Sequence, residues 1–152
     1  MATETHDLED FIPHRGAMRL VDRLGKVDDE QAVVYARVRD DWPLVEDGRT
    51  DPLVLIEVVA QAAASLAGYR KRHEERLGGR GWLVGVRRTE LSTADLPVGT
   101  ELTVHIRVDY QLKEYAVFQG QVEAEGRKLA EVEVQTFKPD DSFWEERECH
   151  GD

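Results

Sequence analysis

Glu57 stands in the most apolar stretch of the chain, DPLVLIEVVAQAAASLAG from Asp51 to Gly68. Between Pro52 and Gly68 only Glu57, Gln61 and Ser65 are polar, and they recur every four residues. On a helix that spacing gathers them into one narrow stripe that drifts by about 40° per step. A glutamate in such surroundings must find a partner, keep its proton or line a cavity, because an unpaired buried charge is costly. Apolar enclosure makes a carboxyl hold its proton more firmly, which lets a glutamic acid serve as a proton donor near neutrality. The competing reading is a carboxylate satisfied near a helix start by an ion pair or by the helix dipole.

The complement of such an acid is a neutral imidazole. His6, His73 and His150 lie in charged or terminal sequence and are expected in solvent, and His105, between Val104 and Ile106, reads as an ordinary strand histidine. His14 differs, because Pro13 before it and Gly16 after it mark a shaped turn ahead of an apolar run. A functional role and a solvent-facing turn both remain open for it. Together, an imidazole base that takes an α-proton and a carboxylic acid that protonates a departing hydroxyl would remove water from a 3-hydroxyacyl compound. That chemistry needs neither a metal nor an organic cofactor.

The elements that must position these groups follow from periodicity. Asp51 as N-cap and Pro52 in the first turn mark the start of the apolar helix, and Gly78 and Gly79 mark its end. Residues 7 to 12 allow one helical turn before Pro13. Two strands are expected ahead of the helix, at Met18 to Val27 and Ala32 to Val38, joined by DDEQ. A loop from 39 to 51 carries Trp42, Pro43 and Leu44. After the helix, strands are expected at Trp82 to Ser92, Glu101 to Leu112, Tyr115 to Glu125 and Lys128 to Lys138, the last three forming an antiparallel meander. The expected architecture is α+β: a single domain over residues 1 to 138 in which a curved antiparallel sheet wraps the apolar helix. Residues 139 to 152 read as an acidic, disordered tail.

Composition narrows the function. With 152 residues the chain suits one domain, and a formal net charge of -11 argues against nucleic acid and anionic membrane surfaces as partners. Cys149 is the single cysteine, so no internal disulfide or cysteine metal site is expected. The apolar helix is too short and too interrupted by Glu57 for membrane insertion. The start, MATETHDLED, lacks the pattern of a signal peptide, which makes the cytoplasm the expected compartment. Phosphate-loop, dinucleotide, G-x-S-x-G and H-x-x-x-H patterns are all missing from the sequence.

Two segments carry a resemblance to a known family. FIPHRGAMRLVDRLGKV, with its Pro-His-Arg followed by an apolar run ending in Val-Asp-Arg, resembles the opening of the hotdog-fold 3-hydroxyacyl-[acyl carrier protein] dehydratases. LIEVVAQAAASLAGY resembles the Glu and Ala-Gln pattern of their central helix, in the same order. The fatty-acid dehydratases carry their base in a Gly-His-Phe-Pro loop. The corresponding loop here, DDWPLVEDGRTDP, keeps an aromatic-Pro pair at Trp42 and Pro43 but has no histidine. The pattern is most similar to the aryl-polyene-type, ApeP-like branch, which also lacks that histidine.

The resemblance implies a single hotdog domain and dehydration of a thioester on acyl carrier protein, with His14 as base, Glu57 as acid and Gln61 orienting it. Trp42 and Pro43 would flank the substrate. It implies no cofactor, and a homodimer or a heterodimer with another hotdog subunit. Arg70, Lys71, Arg72, Arg80, Arg87 and Arg88 are the expected landing ground for the acidic carrier. A hotdog thioesterase and a non-catalytic partner subunit of a heterodimeric dehydratase are the alternatives.

Overall fold

The computed structural model describes residues 6–73 and 82–137. The expected tail from 139 onward lies outside the described residues, as do the glycines expected to end the helix. Among the described residues nine strands, β1 (Arg23–Val27), β2 (Gln31–Arg37), β3 (Val45–Glu46), β4 (Arg49–Thr50), β5 (Trp82–Leu91), β6 (Leu96–Pro97), β7 (Glu101–Leu112), β8 (Tyr115–Ala124) and β9 (Arg127–Phe137), accompany one long helix, α1 (Val54–His73). The large sheet has the order β1-β2-β7-β8-β9-β5 and is antiparallel throughout. A small sheet, β3-β4-β6, lies beside it.

Alternation decides which face meets the helix. On β2, Ala32, Val34 and Ala36 are buried while Gln31, Val33, Tyr35 and Arg37 point outward, as period two requires. Leu102, Val104 and Ile106 on β7, Phe118 and Val122 on β8, and Val132 and Val134 on β9 complete the inner face. The helix replies with Leu55, Val58, Val59, Ala62, Ala63 and Leu66. Two glycines set how closely the layers approach. A Cβ on Gly120 of β8 would lie 2.5 Å from Val59 Cγ1, and one on Gly68 would lie 2.5 Å from the Phe11 carbonyl oxygen. The helix therefore rests directly on the sheet at one glycine and against the N-terminal segment at the other.

Several sequence expectations shift. Met18 to Val27 is not one strand, because Gly16–Met18 forms a 3-10 turn and only Arg23–Val27 joins the sheet. The side chain of Gln61, described below, takes the Met18 carbonyl and the Leu20 N–H that a longer β1 would have paired. The 39 to 51 loop contains the hairpin β3–β4, whose Asp47-Gly48 turn has positive φ at both residues, as a two-residue type I′ connection needs. His6 is not free in solvent: its ring packs edge-on to Phe11 and beside Tyr69. His105 is the expected outward strand residue, with Nε2 3.3 Å from Glu123.

Because Gly120 touches Val59, Gly120→Ala is expected to destabilise the fold by about 1–3 kcal/mol through overpacking. Val59→Ala in the same chain should recover part of that loss. Chemical denaturation of both single variants and the pair tests this, and strictly additive losses would refute the contact.

Candidate active site

The stripe of Glu57, Gln61 and Ser65 rotates from the sheet toward the open side of the helix as it runs back to the N-terminal end. Ser65 and Gln61 are fully buried, whereas the Glu57 side chain is 48% exposed on the single chain. The drift of about 40° per four residues accounts for that progression. Enclosure of Glu57, expected from the apolar sequence around it, is thus not supplied by this chain alone. Apolar groups near it are also uncovered: Leu53, one turn before Glu57, and Met18, whose carbonyl Gln61 holds, are exposed, as is Leu44 in the loop before the helix.

Gln61 links the helix to the loop that carries His14. Its Oε1 accepts the Leu20 N–H at 2.8 Å, and its Nε2 donates to the Met18 carbonyl at 2.8 Å and to Glu57 Oε1 at 2.9 Å. The backbone partners fix which end of the amide is which, so a hydrogen of Nε2 faces the carboxyl. Ser65 Oγ donates to the Gln61 carbonyl at 2.8 Å, one turn along.

His14 reaches the same carboxyl from the loop, with Nε2 3.8 Å from Glu57 Oε1 and its side chain 29% exposed. Its backbone is held by its neighbour. Arg15 Nη1 donates to the Ile12 carbonyl at 2.6 Å and the His14 carbonyl at 2.9 Å, while Nη2 donates to the Glu9 carbonyl at 2.9 Å. His14 Nδ1 is buried and has no hydrogen-bond partner among the described residues. His14, Glu57 and Gln61, picked out in the sequence, therefore converge. Separated by 43 residues, the imidazole and the carboxyl are close enough for a proton to pass after a small adjustment.

Trp42 and Pro43 are placed differently. Trp42 is buried in the core with its Nε1 without a hydrogen-bond partner among the described residues, and Pro43 is exposed, its carbonyl accepting from Thr50 Oγ1 at 2.8 Å. Among the described residues no hydrogen bond or ion pair joins either side chain to the His14–Glu57 pair. Of the basic residues expected to receive a carrier, the side chains of Lys71, Arg72 and Arg80 lie outside the described residues. Arg70 donates to Gln111, Arg88 pairs with Glu90 at 2.6 Å, and Arg87 lies 3.9 Å from Glu133. Arg87 and Arg88 are thus partly neutralised, so their positive field is weaker than the residue count suggests. Arg70 is also about 20 Å along the helix from Glu57.

A concavity of about 390 Å³ opens elsewhere, on the outer face of the sheet, bounded by Lys26, Gln31, His105, Arg107, Gln119 and Gln121. Several of its polar groups are already engaged: Arg107 donates to Asp109 and Gln119, and His105 meets Glu123. The chemistry-bearing residues sit on the opposite side of the sheet, so this groove is not their substrate site.

One helix laid across a large antiparallel sheet is the hotdog architecture, and solved structures agree in that fold. A chain of the dehydratase heterocomplex ApeI:P from Xenorhabdus doucetiae superposes with a TM-score of 0.82 at 20% identity, over 93% of this chain and 96% of that one. A hypothetical thioesterase with coenzyme A from Streptococcus pneumoniae gives 0.60 at 16% identity, over 76% and 84%. The Escherichia coli PaaI protein of the phenylacetic acid degradation operon gives 0.59 at 14%, over 80% and 78%. No curated protein matches the chain significantly by sequence. The family model for ApeP-like dehydratases matches residues 6–146, and the chain belongs to that family.

Replacing Gln61 by leucine would leave the Leu20 N–H and the Met18 carbonyl without partners in a dry environment. We expect a loss of about 2–3 kcal/mol in denaturant unfolding. Ser65→Ala, which removes one donor and keeps the backbone paired, should cost about 1 kcal/mol or less. Equal losses for the two would contradict the structural role given to Gln61.

Proposed function

We propose that the chain dehydrates a 3-hydroxyacyl thioester, carried on acyl carrier protein, to the 2-enoyl thioester, working within a dimer of hotdog subunits. The 3.8 Å approach of His14 Nε2 to Glu57 Oε1 carries this reading. His14 Nε2 takes the α-proton, and the electron pair left on the α-carbon becomes the new double bond as the β-hydroxyl departs. The departing oxygen takes its proton from Glu57 and leaves as water. Transfer of the captured proton from His14 back to Glu57 then restores the starting state, so no cofactor enters the balance. Gln61 supports the division of labour, because its donated hydrogen occupies Oε1 and leaves Oε2 to hold the acidic proton.

The dimer enters because the site is half open. A second hotdog subunit laid over the exposed Leu53, Met18 and Leu44 would exclude water from Glu57 and supply the enclosure this chain lacks. β5, ten residues long at the end of the large sheet and paired on one side only among the described residues, offers the backbone for that pairing. Whether the second subunit is a copy or a sister chain is decided by assay. A monodisperse monomer in light scattering at micromolar concentration, with and without a sister subunit, would overturn the dimer.

A second reading is favoured by one observation. A histidine that acts as base through Nε2 carries its hydrogen on Nδ1, and such bases usually donate that hydrogen to a fixed acceptor. His14 Nδ1 is buried without one among the described residues. On this reading the chain is the non-catalytic half of a heterodimeric dehydratase and shapes the site of its partner.

Kinetics with a 3-hydroxyacyl-carrier substrate separates the readings. His14→Ala and Glu57→Gln should each lose about 10²-fold or more in kcat, and the double variant little more, since groups that act as a unit are not additive. The product should absorb as a conjugated enoyl thioester with no free thiol released; thiol release would instead identify a thioesterase. Undiminished dehydration by both variants in the presence of a sister subunit would establish the partner-subunit reading.

A further inference from the structure

The 3-10 turn Gly16–Met18 lies between His14 and the residues bound by Gln61, and it is gripped from two sides. On one side Gln61 holds the Met18 carbonyl and the Leu20 N–H. On the other, Arg39 Nη2 donates to the Arg19 carbonyl at 2.8 Å and reaches the Gly16 carbonyl at 3.5 Å. The peptide units of residues 16 to 20 are thus shared between an amide from the helix and a guanidinium from the end of β2. Arg39 is itself fixed in direction: its Nε donates to Asp41 Oδ1 at 2.9 Å, and its Nη1 lies 3.5 Å from Asp22 Oδ1. Asp22 is anchored in turn, with Oδ2 accepting the Arg37 N–H at 2.7 Å.

We propose that Arg39 is a positioning residue for the His14–Glu57 pair: it sets the place of the Gly16–Met18 turn, and through Gln61 the place of the Glu57 carboxyl. The turn cannot move without moving the Met18 carbonyl and Leu20 N–H, and the buried Gln61 amide must follow its two backbone partners. Its third bond, to Glu57 Oε1, then lengthens or breaks. His14, two residues before the turn, moves with the same segment. Lysine at position 39 would keep the charge beside Asp22 and Asp41 but not the planar fork that serves two carboxylates and two carbonyls together.

The structural part is tested on the full chain by nuclear magnetic resonance, following the side-chain amide of Gln61, assigned by its loss in Gln61→Ala. In the wild type this amide is fully bonded and should exchange its hydrogens slowly. Arg39→Ala and Arg39→Gln should speed that exchange about tenfold or more and shift both amide resonances, with Arg39→Lys between them and the wild type. Arg49→Ala, which removes an ion pair with Asp95 on the surface, should leave the Gln61 amide unchanged. A fall in Tm for the Arg39 variants with an unaltered Gln61 amide would overturn the proposal, leaving Arg39 as an ordinary stabilising group. Should Arg39→Ala fail to fold, Arg39→Lys decides by the same readout.

The kinetic part rests on the proposed dehydration. With the sister subunit present, Arg39→Ala should lose about tenfold in kcat with KM changed less than twofold, since a small misplacement of reacting groups acts on the chemical step. A rise in KM at constant kcat would overturn it. If the wild type does not dehydrate, the proposed function fails, and the amide exchange still decides for or against Arg39.

Discussion

The fold and the candidate site both depend on one buried side-chain amide. An amide taken from water into an apolar interior costs free energy unless every donor and acceptor finds a partner. Gln61 meets that condition with two backbone groups from the N-terminal loop and one carboxyl oxygen of its own helix. The requirement works in both directions. The loop must stay where it satisfies Gln61, and Gln61 must stay where it directs Glu57. A leucine of similar volume would pack as well and hold nothing in register. This is why a polar residue is retained where the helix is otherwise aliphatic.

The open side of the helix follows from the same stripe. A four-residue repeat does not run parallel to the helix axis, so polar groups that begin under the sheet at Ser65 emerge at the rim by Glu57. The chain thereby places a reactive carboxyl at a boundary between its own core and whatever lies beyond. Such a boundary suits the proposed dehydration, which needs a site that first admits its substrate and then excludes water.

Much of this was legible in the residues. The apolar helix, the β7–β9 meander and the convergence of His14, Glu57 and Gln61 all followed from periodicity or from the two resembling motifs. The hairpin at Asp47-Gly48 was signalled by its dipeptide but passed over as loop, because two-residue strands carry no period. The strand expected from Met18 begins only at Arg23 because a distant glutamine claims the backbone groups before it, and no local pattern reports a competitor 43 residues away. Arg39 was invisible for a similar reason. Its importance lies in which carbonyls its fork reaches, and a surface arginine after a strand looks the same whether it reaches them or not. The half-exposure of Glu57 is not legible in the sequence, because an apolar run reports that a helix is covered and not which layer covers it.

A single sheet can cover only part of a helix's circumference, so an all-round apolar helix in a domain of this size requires a second layer. Here the second layer is partial: the segment from Leu8 to Ile12 closes over Gly68, where the missing Cβ lets the Phe11 carbonyl approach the helix, but among the described residues nothing equivalent closes over Leu53 and Glu57. The two ends of the helix are therefore unlike. At its C-terminal part the chain supplies its own cover with an aromatic cluster of His6, Phe11 and Tyr69. At its N-terminal part it supplies His14 on a clamped loop and stops. A cover built from the same chain at that end would occupy the space that the proposed substrate needs, whereas closure by the second subunit proposed above would reconcile a dry site with an accessible one.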